Sequence, residues 1–285
     1  MSDHNLNSRT WLVTGASKGF GQALVTEIAR RGEKVVGTFR SPAQVRQLED
    51  SFPGLAFGVE LDVTDSGAIP GSIQKALESL GHIDVLVNNA GYGQFGAMED
   101  LTDEQIRRLM ETNFFGLLNV TRAILPHFRE RRSGQIVNIS SVAGFTVYAP
   151  GAAVYTASKF AVEGLSEALA VELNHLGIGV TIVEPGAFRT EFGASSMDMS
   201  AQDSADYQDL FGPLRNYLTT QYHGTEPGDP AKAVKALLKA LDAPQPPARL
   251  VLGEDALRGV REKLSTVEKQ VADWEALSLS TNFDD

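Results

Sequence analysis

Short runs of apolar and β-branched residues alternate along the chain with longer stretches whose apolar residues recur at helical spacing. The apolar runs predict strands at Thr10–Thr14, Lys34–Phe39, Leu55–Glu60, Ile83–Val87, Gly134–Ile139, Gly179–Glu184 and Arg249–Leu252. The amphipathic stretches between them predict helices, among them Gly21–Arg31, Ala43–Ser51, Ile69–Leu80 and Thr102–Arg131. Continuous apolar strands separated by helices are typical of a parallel sheet covered on both faces. The pattern therefore predicts an α/β fold with a doubly wound, Rossmann-like parallel sheet.

Composition removes several classes of protein and of site. The chain has 25 basic and 36 acidic residues, a formal net charge of −11, which disfavours nucleic acid and anionic membrane surfaces as partners. It contains no Cys, so disulfides, thiolate metal sites and a Cys nucleophile are excluded. Its five His residues show no i, i+4 pairing, and we predict no metal site.

The N-terminal segment bears on where the protein works. Met1–Arg9 is polar and lacks the apolar core of a signal peptide. No apolar run approaches the ~20 residues that a helix needs to span a bilayer. We therefore expect a cytoplasmic protein.

Tyr155 and Lys159 carry the most informative candidate chemistry. On a helix, four-residue spacing puts both side chains on one face, one turn apart. A free phenol has a pKa of roughly 10, and a neighbouring ammonium lowers it towards the range of an acid/base catalyst. A Tyr with a Lys at i+4 is also a common structural helix pair. The pair alone leaves both interpretations open.

A glycine-rich turn follows the first predicted strand. Gly15-Ala16-Ser17-Lys18-Gly19-Phe20-Gly21 leads directly into a predicted helix. Glycines let the backbone turn tightly and approach a phosphate, whose charge the amides at a helix N-terminus stabilise. Any tight connection can use glycine, but this one stands on the first strand of an alternating α/β chain. We interpret it as a dinucleotide-binding turn.

The end of the second strand indicates which dinucleotide is bound. An acidic side chain there would bond the ribose 2′-hydroxyl of NAD, whereas this chain has Phe39-Arg40. The planar guanidinium of Arg40 can bind a 2′-phosphate or stack on adenine, and Lys18 supplies a second cation. Both are also compatible with ordinary exposed cations. The agreement of two positions favours NADP(H).

Several further motifs occur in a fixed order. They are Thr14-Gly15 with Gly19 and Gly21, Leu61-Asp62-Val63, Asn88-Asn89-Ala90-Gly91, Asn113, Ser140-Ser141, Tyr155 with Lys159, and Pro185-Gly186 with Thr190. Together they resemble the motifs of a short-chain dehydrogenase/reductase of the family's basic type, over about residues 9 to 190. Each motif is weak alone, and their joint order and spacing are specific.

The resemblance implies a catalytic tetrad. Tyr155 would give a proton in carbonyl reduction, and Lys159 would lower its pKa and hold the nicotinamide ribose. Ser141 would bond the substrate oxygen as charge develops, and Asn113 would anchor a water linking Lys159 to solvent. Ser141 stands within the family's usual distance ahead of Tyr155. Ser140 remains the alternative serine.

The resemblance also implies cofactor contacts. The expected residues are Gly15, Ser17, Lys18, Phe20 and Gly21 in the turn, Arg40, Asp62 with Val63 at the adenine, Asn89, Ala90 and Gly91 at the adenosine ribose, Tyr155, Lys159, and Pro185, Gly186, Phe188 and Thr190 at the nicotinamide. Asn88 and Asn89 are equally compatible with hydrogen bonding at the sheet end, and Pro185-Gly186 with the end of a strand.

We expect a single dinucleotide-binding catalytic domain over 1–285, in which 8–190 form the cofactor and catalytic core. A substrate-loop region at 191–226 and a C-terminal helical extension at 253–285 follow. Leu210, Leu214, Tyr217 and Leu218 form a helical apolar stripe in the loop region, either a core-facing surface or a pocket wall. Phe145, Val147 and Tyr148 are candidates for the opposite wall. Glu254–Trp274 predicts an amphipathic C-terminal helix.

The leading hypothesis is an NADPH-dependent reductase of a lipophilic or aromatic ketone or aldehyde, acting reversibly as an alcohol dehydrogenase. The Met and aromatic content of the loop region suits such a substrate. The alternatives are a regulatory protein that binds NADP(H) without catalysis and an isomerase or dehydratase on the same scaffold. The resemblance also implies a homodimer or homotetramer built through helices within Thr102–Arg131 and Tyr155–His175.

Overall fold

Seven parallel strands form the central sheet of this protein, in a computed structural model that describes residues 9–201 and 203–283. The seven strands of this sheet are β1 (Thr10–Val13), β2 (Lys34–Phe39), β3 (Ala56–Glu60), β4 (Val85–Asn88), β6 (Gly134–Ile139), β7 (Ile178–Pro185) and β9 (Arg249–Leu252). Two short strands lie outside it, β5 (Gly93–Phe95) and β8 (Met197–Met199). The α-helices are α1 (Gly19–Arg30), α2 (Pro42–Ser51), α3 (Ile69–Leu80), α4 (Asp103–Met110), α5 (Leu117–Arg131), α6 (Ala153–Leu173), α7 (Phe192–Ser195), α8 (Gln208–Tyr217), α9 (Pro230–Leu241) and α10 (Glu254–Leu279).

The strand order of the sheet is β3-β2-β1-β4-β6-β7-β9. The chain starts at β1, builds outward to β3, and then crosses back to β4 on the other side of β1. This reversal is the topological switch point at which doubly wound sheets bind ligands. The predicted Rossmann-like parallel sheet is confirmed.

Both faces of the sheet are buried, which explains why its strands are continuously apolar. Along β1, Trp11 and Val13 point into a core formed with α1 and α9. Leu12 points the other way, into a core that α3 and α5 complete. Successive side chains of a strand alternate between faces, so a strand covered on both faces needs apolar residues throughout.

The predicted helix Thr102–Arg131 is divided in the structure. Thr102 caps α4 in a reciprocal capping box with Gln105, as its position before the apolar period suggests. Between α4 and α5, Glu111–Gly116 forms one π-helical turn. Apolar spacing does not reveal such a turn, because the helix axis continues through it.

A second, two-stranded sheet was not predicted. In it β5 pairs with β8 in parallel, with Gly93 opposite Met197. Strands of three residues are too short to show an alternating pattern. The pairing nevertheless matters, because it ties the loop region after β7 to the body of the protein.

The ends of the predicted domain extend past what the structure describes. Residues 1–8 and 284–285 lie outside the described residues. Across 9–201 and 203–283, no helix combines the length and the apolar character that a membrane crossing requires. The predicted C-terminal helix is present and continues to Leu279.

Candidate active site

A cleft of about 1060 Å³ opens at the carboxyl ends of the strands. It is lined by residues that directly follow β1, β2, β4, β6 and β7, at the switch point of the sheet. The sequence-predicted residues that line it are Gly15, Ser17, Lys18, Phe20, Arg40, Asp62, Val63, Asn89, Ala90, Gly91, Ser141, Tyr155, Lys159, Pro185, Gly186, Phe188 and Thr190. The other two, Gly21 and Asn113, are packed outside this lining.

The glycine-rich turn has the conformation that phosphate binding needs. Gly15 and Gly19 adopt positive φ values of 66° and 58°, which favour glycine. A Cβ on Gly21 would lie 2.3 Å from the Gly15 carbonyl oxygen, so this glycine lets α1 pack closely against the turn. Lys18 is the N-cap residue of α1, but its side chain makes no capping hydrogen bond to the helix, and the first turn has no acidic residue. The helix N-terminus is therefore suited to an anion.

Asn89 braces the glycine-rich turn from the neighbouring strand. Its side-chain amide donates to the carbonyl oxygens of Thr14 and Gly15, both at 3.0 Å. In return, the Thr14 hydroxyl accepts from the backbone N–H groups of Asn89 and Ala90. The sheet-end hydrogen bonding considered from the sequence is thus present, on a residue that also lines the cleft.

The two candidate cations of the cleft lie differently from the sequence-based picture. Arg40 is exposed at the end of β2 and, within the described part of the chain, forms no ion pair. The Lys18 ammonium instead donates to the hydroxyl and carbonyl of Ser195 in α7, at 2.9 and 3.2 Å. Lys18 therefore joins the glycine-rich turn to the loop region, and Arg40 is the more exposed of the two cations.

Tyr155 and Lys159 share the buried face of α6, as their spacing predicted. The Tyr155 ring packs between Phe95 of β5 and Phe192 of α7, with centroid distances of 6.2 and 5.8 Å. The Lys159 ammonium lies 6.0 Å from the Tyr155 ring centroid and donates to the Ile139 carbonyl at 2.9 Å. The paired strands β5 and β8 thus help to position the aromatic rings around the phenol.

Burial, more than their mutual attraction, governs the acidity of both groups. It raises the pKa of Tyr155 to about 12, and the Ser141 side chain opposes this rise. It lowers the pKa of Lys159 to about 8, and the Glu163 carboxylate opposes this fall. Each charged form is disfavoured because it loses hydration. The depressed phenol pKa predicted from the spacing is not seen in this geometry, since the ammonium is directed at Ile139.

The two candidate serines point to different partners. Ser141 faces the Tyr155 phenol, while Ser140 is buried beside the Glu163 carboxylate. A Cβ on Gly144 would come within 3.0 Å of both the Ser140 hydroxyl and a Glu163 oxygen, so little room is left there. The geometry thus favours Ser141 as the serine that meets a substrate oxygen.

Asn113 lies in the π-helical turn and is buried behind Tyr92. Its side-chain oxygen accepts from the Tyr92 N–H at 3.0 Å, and its amide donates to the Tyr92 carbonyl at 2.9 Å. The amide also donates to the Ser158 hydroxyl at 3.1 Å. These bonds hold the segment after β4 against α6, next to Lys159. The water-anchoring role implied by the resemblance remains a prediction.

The loop region supplies the apolar wall of the cleft. Leu214, Tyr217, Leu218 and Tyr222 line it, so most of the predicted helical stripe is a pocket wall. Leu210 is exposed and lies outside the lining, because it falls on the solvent side of α8.

Of the candidates for the opposite wall, only Tyr148 lines the cleft. Val147 is exposed, and the Arg249 guanidinium lies over the Phe145 ring at 5.1 Å. Phe145, Val147 and Tyr148 are close in sequence, but their side chains point in different directions in the structure.

A family model that matches most of the chain shows the family to which the chain belongs. The family model described as short chain dehydrogenase matches residues 9–201, which include every motif used above. This chain belongs to the short-chain dehydrogenase family.

Relatives of this short-chain dehydrogenase match it over nearly its full length. A short-chain dehydrogenase from Streptomyces avermitilis has 42% identity and a TM-score of 0.88, covering 97% of this chain and all of that one. Oxidoreductase BOA17 of Botryotinia fuckeliana is 34% identical, over 96% of this chain and 99% of its own. The 3-ketodihydrosphingosine reductase of Bacteroides thetaiotaomicron is 38% identical, over 85% and 87%. The chain is therefore an oxidoreductase.

The residues of the cleft fit a nicotinamide cofactor. A serine dehydrogenase of the same fold (29% identity, TM-score 0.71, 85% of this chain and 94% of that one) holds NADP⁺. A 3-ketoacyl-(acyl-carrier-protein) reductase from Brucella melitensis (25%, 0.69, 86% and 96%) holds NADH. In this dehydrogenase, the uncapped N-terminus of α1 and the open glycine-rich turn provide the matching anion site. Among the described residues, no cluster of His, Asp or Glu could hold a metal ion.

Among the cleft residues that sequence reasoning missed is Asp255, in the first turn of α10. Its carboxylate accepts from the Ala187 N–H at 2.7 Å and fills the space where Gly186 lacks a Cβ. It thereby fixes the backbone of the segment predicted to bind the nicotinamide. A Gly-x-Asp after the last strand was the available signal, but only the fold brings it beside β7.

Substituting Asp255 tests this bracing role. We expect Asp255→Leu to weaken cofactor binding by roughly 10-fold or more, because a charge-assisted hydrogen bond is worth about 1.5–3 kcal/mol. Cofactor Kd, measured by fluorescence titration, checks this result. Exposed Glu254 is the matched control, and Glu254→Leu should bind as the parent does. An unchanged Kd in Asp255→Leu would contradict the bracing role.

Proposed function

We propose that this dehydrogenase uses NADPH to reduce a lipophilic or aromatic ketone or aldehyde to its alcohol, and catalyses the reverse oxidation. The observation that carries the proposal is the position of Tyr155. Its phenol faces Ser141 at the bottom of the cleft, between the glycine-rich turn and the apolar wall of the loop region.

The chain's own residues define the proton transfer. When bound, NADPH would supply the hydride for the carbonyl carbon. The Ser141 hydroxyl and the Tyr155 phenol donate hydrogen bonds to the carbonyl oxygen, and these bonds strengthen as that oxygen gains negative charge. The O–H bond of Tyr155 then breaks and its proton forms the new hydroxyl. The Lys159 ammonium, 6.0 Å from the Tyr155 ring centroid, would have to turn from the Ile139 carbonyl towards the phenol to stabilise the phenolate that remains.

The acidities of the two groups support reduction. With a pKa of about 12, the phenol keeps its proton near neutral pH and is ready to act as the acid. With a pKa of about 8, Lys159 is mostly charged under the same conditions. In the reverse direction the same phenolate would accept the proton of an alcohol.

The walls of the cleft support a lipophilic substrate. Leu214, Tyr217, Leu218 and Phe192 present apolar surface, and the Arg108 and Asp198 side chains at the rim neutralise each other in an ion pair of 2.5 Å. Such a lining favours apolar or aromatic groups next to the carbonyl. The name of the Bacteroides thetaiotaomicron relative likewise supports a ketone as the reducible group.

A substrate screen tests the proposal. We expect NADPH oxidation with aryl and cyclic ketones or aldehydes, and faster turnover with NADPH than with NADH. Tight NADPH binding without turnover across the panel would instead support the regulatory alternative. Turnover confined to small polar carbonyl compounds would contradict the substrate class.

Cofactor preference is tested at Arg40. Arg40→Asp should raise the KM for NADPH by roughly 10- to 100-fold, because it replaces a charge-assisted bond to the 2′-phosphate with repulsion. The KM for NADH should be unchanged or lower, since an acid there suits a ribose hydroxyl. Arg46→Asp on the exposed face of α2 is the matched charge control. If NADPH preference survives in Arg40→Asp, Arg40 is not its determinant.

A further inference from the structure

The C-terminal helix α10 leaves the body of the protein after its second turn. Ala256 and Val260 pack into a small core with Val142, Phe145 and Val251. From Arg261 to Phe283, every described residue is exposed. At 1.5 Å per residue, the free part of the helix up to Leu279 extends roughly 27 Å. A helix of this length gains little stability without packing against another surface.

Helix α10 carries a continuous apolar stripe that begins on the body and runs along its free part. Leu257, Val260, Leu264, Val267, Val271 and Trp274 follow one another at alternating spacings of three and four residues, as the a and d positions of a coiled coil do. The side chains past the body are strongly exposed: Leu264 by 55%, Val267 by 39%, Val271 by 65% and Trp274 by 64%. An exposed stripe with this spacing is typical of a helix–helix interface.

The charges beside the stripe indicate what covers it. Arg261 and Lys263 flank its first half, while Glu268 and Glu275 flank its second half. A second copy running antiparallel would place Arg261 opposite Glu275 of the partner subunit, twice by symmetry. The same surface is then self-complementary, as a two-fold interface must be.

The attachment of α10 to the body selects between the two directions. Val260 and Ala256 lie on the face of the stripe, and their own body already covers them. A parallel second copy would bring its body to the same end of the helix, although packed helices lie only about 8–10 Å apart. An antiparallel copy places the two bodies at opposite ends, where both have room.

We propose that two copies of this chain associate through antiparallel packing of their free α10 helices. Leu264 packs against Trp274 of the partner subunit, and Val267 packs against Val271 of the partner subunit, each contact occurring twice. Glu268 lies close to the symmetry axis, where it faces its own copy and limits the affinity. This surface is separate from the helices α4, α5 and α6 through which a homo-oligomer was expected from the family resemblance.

Disulfide trapping tests the arrangement, and the absence of native Cys gives it a clean background. Leu264→Cys and Trp274→Cys are made as separate full-length variants. Under mild oxidation, we expect little dimer from either variant alone and a disulfide-linked dimer from their mixture. The paired thiols experience a high effective concentration, so trapping in this mixture should be about 10-fold faster or more than in the control. The control is a mixture of Trp274→Cys with Ser265→Cys, because Ser265 lies off the stripe.

The possible outcomes separate clearly. Dimers that form as readily from each variant alone would indicate parallel packing and overturn the proposal. A mixture that traps no faster than the Ser265→Cys control would show that the stripes do not meet. Circular dichroism of each variant excludes misfolding as the reason.

A charge exchange provides an independent measurement. Arg261→Glu should weaken self-association, measured by sedimentation, by roughly 5-fold or more, and the double variant with Glu275→Arg should restore it. Glu268→Gln should strengthen association, since it removes the repulsion at the axis. If the double variant associates no better than Arg261→Glu alone, the antiparallel pairing is wrong.

Discussion

Tyr155→Phe is expected to lower kcat for carbonyl reduction by roughly 10²–10⁴-fold, the usual contribution of a positioned general acid. The substitution removes the proton that the proposed reaction needs and leaves the ring between Phe95 and Phe192. Cofactor binding should change little, because the phenol oxygen is the only atom lost. Steady-state kinetics with NADPH and an aryl ketone, together with the cofactor Kd, measure both effects.

Tyr207→Phe is the matched control for this experiment. Tyr207 packs against Phe211 outside the lining of the cleft, so the same loss of a phenol oxygen should leave kcat unchanged. If Tyr155→Phe reduced ketones as fast as the parent, the proposed proton donor would be wrong. If both variants lost activity equally, the loss would reflect general sensitivity to Tyr substitution.

Arg249→Met is expected to cost about 3–5 kcal/mol of unfolding free energy, the usual cost of removing one partner from a buried ion pair. Arg249 on β9 forms ion pairs with Glu163 and Glu167, at 2.7 and 2.6 Å, and with fully buried Glu184. Without the guanidinium, Glu163 and Glu184 would be buried carboxylates that form no ion pair among the described residues, although the Lys159 ammonium lies near enough to interact with Glu163. Urea unfolding checks the loss, and Arg258→Met on the exposed side of α10 is the control.

The pH dependence gives a second measurement of the same cluster. Burial raises the pKa of Glu184 to about 7, above the ordinary value of 4.5 for a Glu carboxyl group. The folded state therefore binds the extra proton, and stability falls as pH rises from the lower value to the higher one. The deficit of Arg249→Met should be largest above that pKa of about 7 and smaller in acid. A deficit that is independent of pH would show that lost packing on Phe145 explains the effect instead.

The sequence predicted well those features that depend only on neighbouring residues, and poorly those that depend on contacts with distant segments. The strands Lys34–Phe39 and Gly134–Ile139 agree with β2 and β6 to the residue, because a strand covered on both faces shows itself as a continuous apolar and β-branched run. The positive φ values of Gly15 and Gly19 likewise follow from a local requirement for glycine. Asp255 and Ser195 could not be predicted as partners of the cleft, since each reaches it from a distant part of the chain.

The pKa of Tyr155 also depends on contacts that the local sequence does not show. The spacing of Tyr155 and Lys159 correctly predicted a shared helix face, and it suggested a lowered phenol pKa. A pKa depends on burial and on every nearby dipole, and these come from β5, α7 and the end of β6. The structure reverses the direction of the shift because desolvation outweighs a cation that is bonded elsewhere.

The sequence by itself determined the parallel α/β sheet, the glycine-rich turn and the helical face shared by Tyr155 and Lys159, because period and spacing are properties of neighbouring residues. Only the tertiary structure decided that the loop region forms the wall of the cleft, that Lys18 bonds to Ser195 and that Asp255 braces Gly186 and Ala187. The tertiary structure also shows that the apolar stripe of α10 is exposed beyond Val260. Contacts between distant segments depend on how whole elements pack, and no local pattern of residues records that packing.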